Sequence, residues 1–401
     1  MKKNINKFGI WKQPVQITPN NFIHKSLSEW SVNLAVGCSH GCLFCYVPDV
    51  STIKQGPTLE DFGVKNPDSE WGQYAFLRPW DENGFLDSLL KAQMTPPDKL
   101  SWDGHRAVMF CTTTDPYQVL KGHPDQNKLN AYEKLTRRRS LTLIRDCSDI
   151  NVRILTRSPS AKTDFDLFKS FGNRFMFGMS IPTLNDTLAR VYEPGISSVT
   201  KRLETLRLAK DAGIPIYVAI APTYAECDAA DLEKTLTEIA KLDPVCIYHE
   251  PINIRADNVK RIEENAKAQG VPLNTKVFEN REAWCRYAMQ QLFTVQRLAE
   301  KLGVIDRLKL WPDPDLRTKS RFLLIRKQDR EKKLGQVQST PEARRESEAA
   351  NELAYQHHVK WLEGWWSKLA PWPGVEAQTG WTAPAIPTDS PFAVPLPDKL
   401  K

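Results

Sequence analysis

The stretch AVGCSHGCLFCYVPD, residues 35–49, holds Cys38, Cys42 and Cys45, three of the eight cysteines in the chain. Thiolates grouped this tightly bind metal, and the number of ligands limits which metal. A structural zinc site closes with four ligands, usually drawn from two separated pairs. Here the spacing is C-x3-C-x2-C with no second pair nearby, and His40 shares the same tight loop. Three thiolates suit a [4Fe–4S] cluster that keeps one iron free of protein ligands, where a small molecule can chelate. Gly37 and Gly41 let the backbone approach such a cluster closely. A zinc ion completed by a distant residue, or three unrelated cysteines, are the alternatives. Cys147, Cys227, Cys246 and Cys285 lack ligand spacing and read as buried or incidental.

A ligand loop needs a scaffold to aim it. From about residue 31 to 312, short apolar runs alternate with amphipathic ones. Strands are expected at 32–36, 106–112, 152–156, 174–180, 215–220 and 244–249. Helices are expected at 84–93, 127–139, 163–171, 198–212, 230–241, 256–268 and 281–302. This alternation implies parallel strands with helices packed outside, and six such units fit a partial (β/α)6 barrel better than a closed eightfold one. Helix 198–212 is the clearest: Leu203, Leu206 and Ala209 keep helical spacing, and Gly213 stands where a C-cap glycine belongs. The connection from 46 to about 105, after the first strand, is long for such a fold and reads as an inserted lid or binding loop.

Four stretches follow. Residues 1–30 form an irregular N-terminal segment, 31–312 the barrel, 313–370 a basic helical extension and 371–401 a Pro-rich tail. Within the extension, 317–333 carries eight Lys or Arg against two acids, and 361–366 reads WLEGWW. The tail holds seven prolines, so a loose, extended chain is expected there.

The whole chain has 401 residues, 41% of them hydrophobic, and a net charge of +7. A charge of this size permits an anionic partner without demanding one. The N-terminal lysines have no apolar core behind them, so no signal peptide is expected. No apolar run reaches the roughly 18 residues of a membrane span. The expectation is a cytoplasmic protein with no membrane partner, where clustered cysteines serve as metal ligands or catalysts rather than disulfides. The basic run 317–333 and Arg137–Arg139 can meet the phosphates of a nucleic acid, though charge runs more often form solvated faces. The tryptophans either stack on bases or pack back onto the barrel.

C-x3-C-x2-C with an aromatic, Phe44, before the third cysteine, just after the strand-like SVNLAVG, resembles the radical SAM superfamily. With CTTTDPYQ (111–118), RILTRS (153–158) and YEPGISSVTKRLETLRLAKDAGIPIYVAIAPTY (192–224), residues 25–225 look like the spore photoproduct lyase-like family. The resemblance implies a [4Fe–4S] cluster on Cys38, Cys42 and Cys45, with S-adenosyl-L-methionine on the open iron. It implies reductive cleavage to a 5′-deoxyadenosyl radical, hydrogen abstraction, and a one-electron donor such as flavodoxin or ferredoxin. By the same resemblance Phe44, Thr113, Asp115, Arg157, Ser180 and Ala221 line the cofactor, and Cys111 with Tyr46 returns hydrogen to the substrate. Phe44 stands where that family has tyrosine, and one extra residue separates Cys111 from Asp115.

Each of these residues has an ordinary alternative. Asp115 can simply form a turn before Pro116, Arg157 can be a solvated surface residue, Ser180 can cap the next helix, and Cys111 can pack in the core. Beyond the resemblance, YHEPINIRADN (248–258) ends the sixth expected strand with dense polar groups. Tyr248, His249, Glu250, Asn253 and Arg255 are the substrate candidates there. Alternatively, Glu250 pairs with Arg255 and Asp257 caps a helix. The leading expectation is lyase-like DNA repair. Its rivals are radical modification of a peptide or small metabolite, and a non-catalytic nucleic-acid-binding protein with a structural metal loop.

Overall fold

The computed structural model describes residues 6–20, 25, 27–100, 106–335, 340–374 and 380–401. Parts of the N-terminal segment, of the 46–105 connection and of the tail lie outside the described residues.

The strands are β1 (Lys7–Ile10), β2 (Ile17–Pro19), β3 (Trp30–Val32), β4 (Ala35–Gly37), β5 (Tyr74–Leu77), β6 (Ala107–Phe110), β7 (Asn151–Thr156), β8 (Phe175–Ser180), β9 (Ile216–Thr223), β10 (Cys246–Pro251) and β11 (Leu308–Leu310). The helices are α1 (Val47–Val50), α2 (Gly56–Asp61), α3 (Glu82–Gln93), α4 (Gln126–Cys147), α5 (Phe165–Lys169), α6 (Asp186–Tyr192), α7 (Val199–Asp211), α8 (Ala229–Ala240), α9 (Asn258–Gln269), α10 (Arg281–Lys301), α11 (Lys319–Leu334) and α12 (Pro341–Trp366).

One sheet has eight strands in the order β11-β10-β9-β8-β7-β6-β3-β2. All neighbours from β3 to β11 pair in parallel, and β2 is antiparallel to β3. Central strands of a parallel sheet are covered on both faces and need apolar residues throughout. FMFGMS of β8 is buried at all six positions. One face carries Val108, Phe110, Val152, Ile154, Phe177 and Val218, which join helix residues such as Ile144, Leu206, Leu236 and Leu292 in the main core. The opposite face carries Met109, Met176, Tyr217, Ala219, Cys246 and Tyr248. Leu27, from the N-terminal stretch, and Trp311, Ala370 and Trp372, from the C-terminal part, cover it.

The six expected strands appear in order, with β11 as a seventh parallel one, too short at three residues to show a pattern. Expected strand 32–36 divides between two sheets: β3 joins the large sheet, and β4 pairs with β5, which pairs with β1. Thus the described part of the 46–105 connection contributes a strand to a second sheet. Helix α4 runs eight residues past its expected end, because Leu141, Leu143 and Ile144 continue its buried face beyond Arg137–Arg139. The expected 163–171 helix is shorter, following a 3-10 turn from Pro159 to Asp164. Helix α7 starts as read, with the Ser198 hydroxyl accepting from Lys201 N, and ends before Gly213 at φ +76°.

Trp361, Trp365 and Trp366 of α12 are buried in the main core. The first two donate their indole N–H to the same Gln296 Oε1, at 2.9 and 3.2 Å. Lys309 Nζ donates to Trp365 O at 2.7 Å, and Lys368 Nζ to Asp306 O at 2.7 Å and Leu308 O at 2.5 Å. Burial pushes Lys309 down to about 7 and Lys368 to about 8. The tail, read as loose, is seated on the body. Trp372 donates to Asn173 O at 2.8 Å, Pro384 O accepts from Gln296, and Phe392 is buried. Prolines deny this segment regular structure, but not burial.

Candidate functional site

The cysteine loop follows β4 directly, and four other parts of the chain clamp it. Gly41, at φ +59°, crosses Gly72 so closely that a Cβ on Gly72 would lie 2.8 Å from Gly41 Cα. A Cβ on Gly195 would lie 2.7 Å from His40 O. Ser39 N donates to Gln118 Oε1 at 2.8 Å, Leu43 N to Tyr192 O at 3.0 Å, and Arg261 Nη2 to Leu43 O at 3.2 Å. A loop whose backbone groups are satisfied by protein holds its side chains in fixed directions.

Cys38 and Cys42 are buried and Cys45 is partly so. Burial pushes Cys38 up to about 11, Cys45 up to about 12 and Cys42 well above the ordinary thiol range. Cys38 and Cys45 add to the rise at Cys42, and Cys38 to that at Cys45. Among the described residues no three His, Cys, Asp or Glu side chains gather as a single metal ion requires. His40 turns its Nδ1 to Asp115 Oδ2 at 3.3 Å. By its chemistry, the donor set on this clamped loop is three thiols, the set a three-thiolate cluster uses.

The loop lies over the carboxyl ends of the parallel strands, where open α/β sheets bind ligands. Asp115, just beyond β6, is a hub. Its Oδ1 accepts from Tyr117 N at 2.8 Å and Thr156 Oγ1 at 2.7 Å, and its Oδ2 from Arg157 N at 2.9 Å besides His40. Burial works against its charge, but His40 and these donors prevail and hold its pKa at about 2. A carboxylate has about four acceptor sites, and here all are used. Asp115 thus joins the β6 and β7 ends and has no acceptor left for an ammonium group. Thr113 is engaged as well, its N and Oγ1 both donating to Asn33 Oδ1 at 3.0 and 2.9 Å.

Arg157 is mostly buried rather than solvated. Its Nε donates to Glu193 Oε1 at 2.7 Å and its Nη2 to Ala221 O at 3.1 Å, and the guanidinium sits 5.2 Å over the Phe44 ring. Burial opposes its charge, but Cys42 and Glu193 more than offset that. Ser180 ends β8. Its backbone O accepts from Arg202, while its buried Oγ has no partner and caps no helix. Such an orphaned hydroxyl calls for a ligand or water. Tyr46 donates to Thr112 O at 2.9 Å, and burial pushes its phenol up. Cys111 follows β6 with φ +59°, which ends the strand's alternation and puts it in the helix-side core.

The substrate candidates do not converge. Tyr248 faces the covered side, stacked on Trp311 at 4.6 Å and accepting from Arg153 at 3.3 Å. His249, one residue on, points to the helix side, meets Thr223 Oγ1 at 3.3 Å and is pushed down to about 3 by burial. Glu250 pairs with Lys25 at 2.5 Å, not with Arg255. Asn253 and Arg255 both meet Asp313, at 2.6 and 3.2 Å. Asp257 precedes α9 without a side-chain cap.

Sequence reasoning left Glu193, Arg202, Asn33, Gln118, Arg261 and Gly195 without roles. YEPG lies within the stretch that carries the resemblance, but a buried Glu held between two Arg leaves no periodic trace.

The fold is similar to that of spore photoproduct lyase. One solved structure of that enzyme, a mutant with bound AdoMet and dinucleoside spore photoproduct, matches with TM-score 0.51 at 14% identity, covering 76% of this chain and 81% of that one. At that identity the likeness is one of fold. No family model matches the sequence. The uncharacterized protein ORF301 of Acidianus two-tailed virus is 30% identical over 250 residues, 61% of this chain and 74% of its own length. The uncharacterized protein MJ0683 of Methanocaldococcus jannaschii is 21% identical over 271 residues, 67% of this chain and 87% of its own. This chain belongs to the family of ORF301. No helix among the described residues is long and apolar enough to cross a membrane.

Proposed function

We propose that this chain is a radical SAM enzyme, and the observation that carries the reading is the trio of thiols on one protein-clamped loop at the carboxyl ends of a parallel sheet. Cys38, Cys42 and Cys45 would hold a [4Fe–4S] cluster, and S-adenosyl-L-methionine would sit beside it. Together these groups supply reductive cleavage of the cofactor and hydrogen abstraction from a substrate. The chain's own residues orient and shield that chemistry. Arg157 places a fixed cation next to the loop, suited to the cofactor carboxylate. Ser180 offers the unpartnered hydroxyl. Phe44 and Ala221 present the ring and the strand end that Arg157 spans. Asp115 and Thr113 act indirectly by tying the strand ends together. Tyr46 and Cys111 remain the hydrogen-return candidates, with Tyr46 on the Thr112 carbonyl and Cys111 one residue before it.

The leading substrate is nucleic acid, supported by the fold shared with a lyase whose solved complex holds a dinucleoside spore photoproduct. Modification of a peptide or small metabolite is the second reading. It is favoured because Arg137, Arg138 and Arg139 are spent within the fold on Glu133, Asp164, Asp166 and Glu82 rather than offered to phosphates. The reading includes a flavodoxin or ferredoxin as electron donor and a cytoplasmic setting that keeps the thiols reduced.

Anaerobically prepared protein should contain iron and acid-labile sulfide near four each per chain, and form 5′-deoxyadenosine slowly when reduced with cofactor. The triple Cys38→Ala, Cys42→Ala, Cys45→Ala variant should do neither. Stoichiometric zinc in place of iron, or an undiminished cluster in the triple variant, would sink the assignment. Screening DNA, RNA and peptides for deuterium uptake from labelled cofactor separates the substrate classes.

A further inference from the structure

Glu193 is a fully enclosed charge beside the cysteine loop. It comes from the loop after α6, and its side chain is 0% exposed. Its Oε1 accepts from Arg157 Nε at 2.7 Å and its Oε2 from Arg202 Nη2. Arg202, 1% exposed, also donates to Ser180 O at 3.0 Å and Ser197 O at 3.1 Å, so it is anchored independently. Two cations share Glu193, and the Asp115 carboxylate lies on the Arg157 backbone N–H at 2.9 Å. Buried charges act strongly on one another and on whatever lies beside them. Arg157 carries this group to the cysteine loop: its guanidinium lies 5.2 Å over the ring of Phe44, between Cys42 and Cys45. Three metal-bound thiolates would place their negative charge next to it.

We infer that the Arg202–Glu193–Arg157 group sets the reduction potential of the centre held by the cysteine loop, Arg157 raising it and Glu193 lowering it. The inference rests on the proposed cluster. A nearby cation favours the reduced, more negative centre, and a nearby anion disfavours it; such outer groups tune a cluster's potential. Glu193 is a tuning residue that need touch neither substrate nor cofactor.

The test is potentiometric titration of the reconstituted full chain, followed by electron paramagnetic resonance, without S-adenosylmethionine. Glu193→Gln, which keeps shape while removing charge, should shift the potential upward. Arg157→Gln should shift it downward. Each shift should change the reduced-to-oxidised ratio at fixed ambient potential tenfold or more, about 59 mV for one electron. Opposite signs are the diagnostic, because looser packing would move both variants the same way. Should Glu193→Gln fail to fold, Arg157→Gln and Arg157→Lys carry the test, with Lys keeping the wild-type potential and Gln lowering it. Unchanged potentials, or shifts of one sign, overturn the inference while the cluster stands. A wild-type chain that takes up no cluster overturns the reading beneath it, and the inference with it.

Discussion

Cys111 decides between two accounts of hydrogen return. Its backbone is left-handed at φ +59°, and its thiol is buried in the helix-side core, where burial pushes the pKa far up. A packed cysteine at such a position makes a distinctive stability prediction. Cys111→Ala should cost about 1 kcal/mol for the small cavity. Cys111→Gly should be no worse, because glycine adopts positive φ freely and offsets its own entropic cost. Chemical denaturation of both variants checks the order, and glycine well below alanine would contradict it. If the thiol serves hydrogen return, Cys111→Ala should also form 5′-deoxyadenosine normally but change the product. With φ reversed just after Phe110, the alternation that would have aimed this side chain inward is broken, and an unchanged product is the expected outcome.

At the scale of elements, the cysteine loop is held from outside rather than by its own turns. Gly195, in the α6–α7 connection, approaches His40 O, and Gly72, just before β5, approaches Gly41. Any side chain at either position must push the loop away. Gly195→Ala and Gly72→Ala should each cost about 1–3 kcal/mol through overpacking, with iron content after reconstitution falling by more than half. Iron analysis beside a thermal melt separates loop displacement from unfolding. Full iron content in both variants would show that the loop tolerates these contacts. The same logic explains why Asp115 matters without meeting a ligand: it fastens the β6 and β7 ends that carry Thr113 and Arg157.

For the whole molecule, the C-terminal part completes the core instead of hanging from it. Trp361→Ala should cost about 3–5 kcal/mol in urea unfolding and unfold the sheet in the same transition; a separate early transition for α12 would refute this. Two histidines make the fold acid-sensitive. Burial pushes His249 down to about 3 and His358 to about 4. The unfolded chain protonates both near 6.5. As pH falls below 6.5 the unfolded state therefore binds more protons and stability drops. At pH 5 each contributes a loss of about 2 kcal/mol, from roughly 1.5 pH units at 1.36 kcal/mol per unit. His358→Phe, stacking on Phe322 as the imidazole does at 4.8 Å, should make the decline between pH 7 and pH 5 shallower by about 2 kcal/mol. An unaltered pH profile would place the acid sensitivity elsewhere.

The sequence by itself determined the order of the sheet and marked the cysteine loop as the place for chemistry. Cys38, Cys42 and Cys45 announce themselves by spacing, and β6 to β10 by apolar runs, because ligand identity and burial period are local properties of a chain. Likeness to spore photoproduct lyase agrees with that reading at the level of fold. Side-chain direction at strand ends was not legible. Tyr248 and His249 stand together in the sequence yet face opposite sides of β10, and Asp115 looks like a cofactor ligand until its four donors are counted. Those donors come from residues 40, 117, 156 and 157, and the partners of Glu193 from 157 and 202. Only the tertiary structure brings them together, since buried charges are satisfied by whatever the fold places beside them and local sequence carries no record of that pairing.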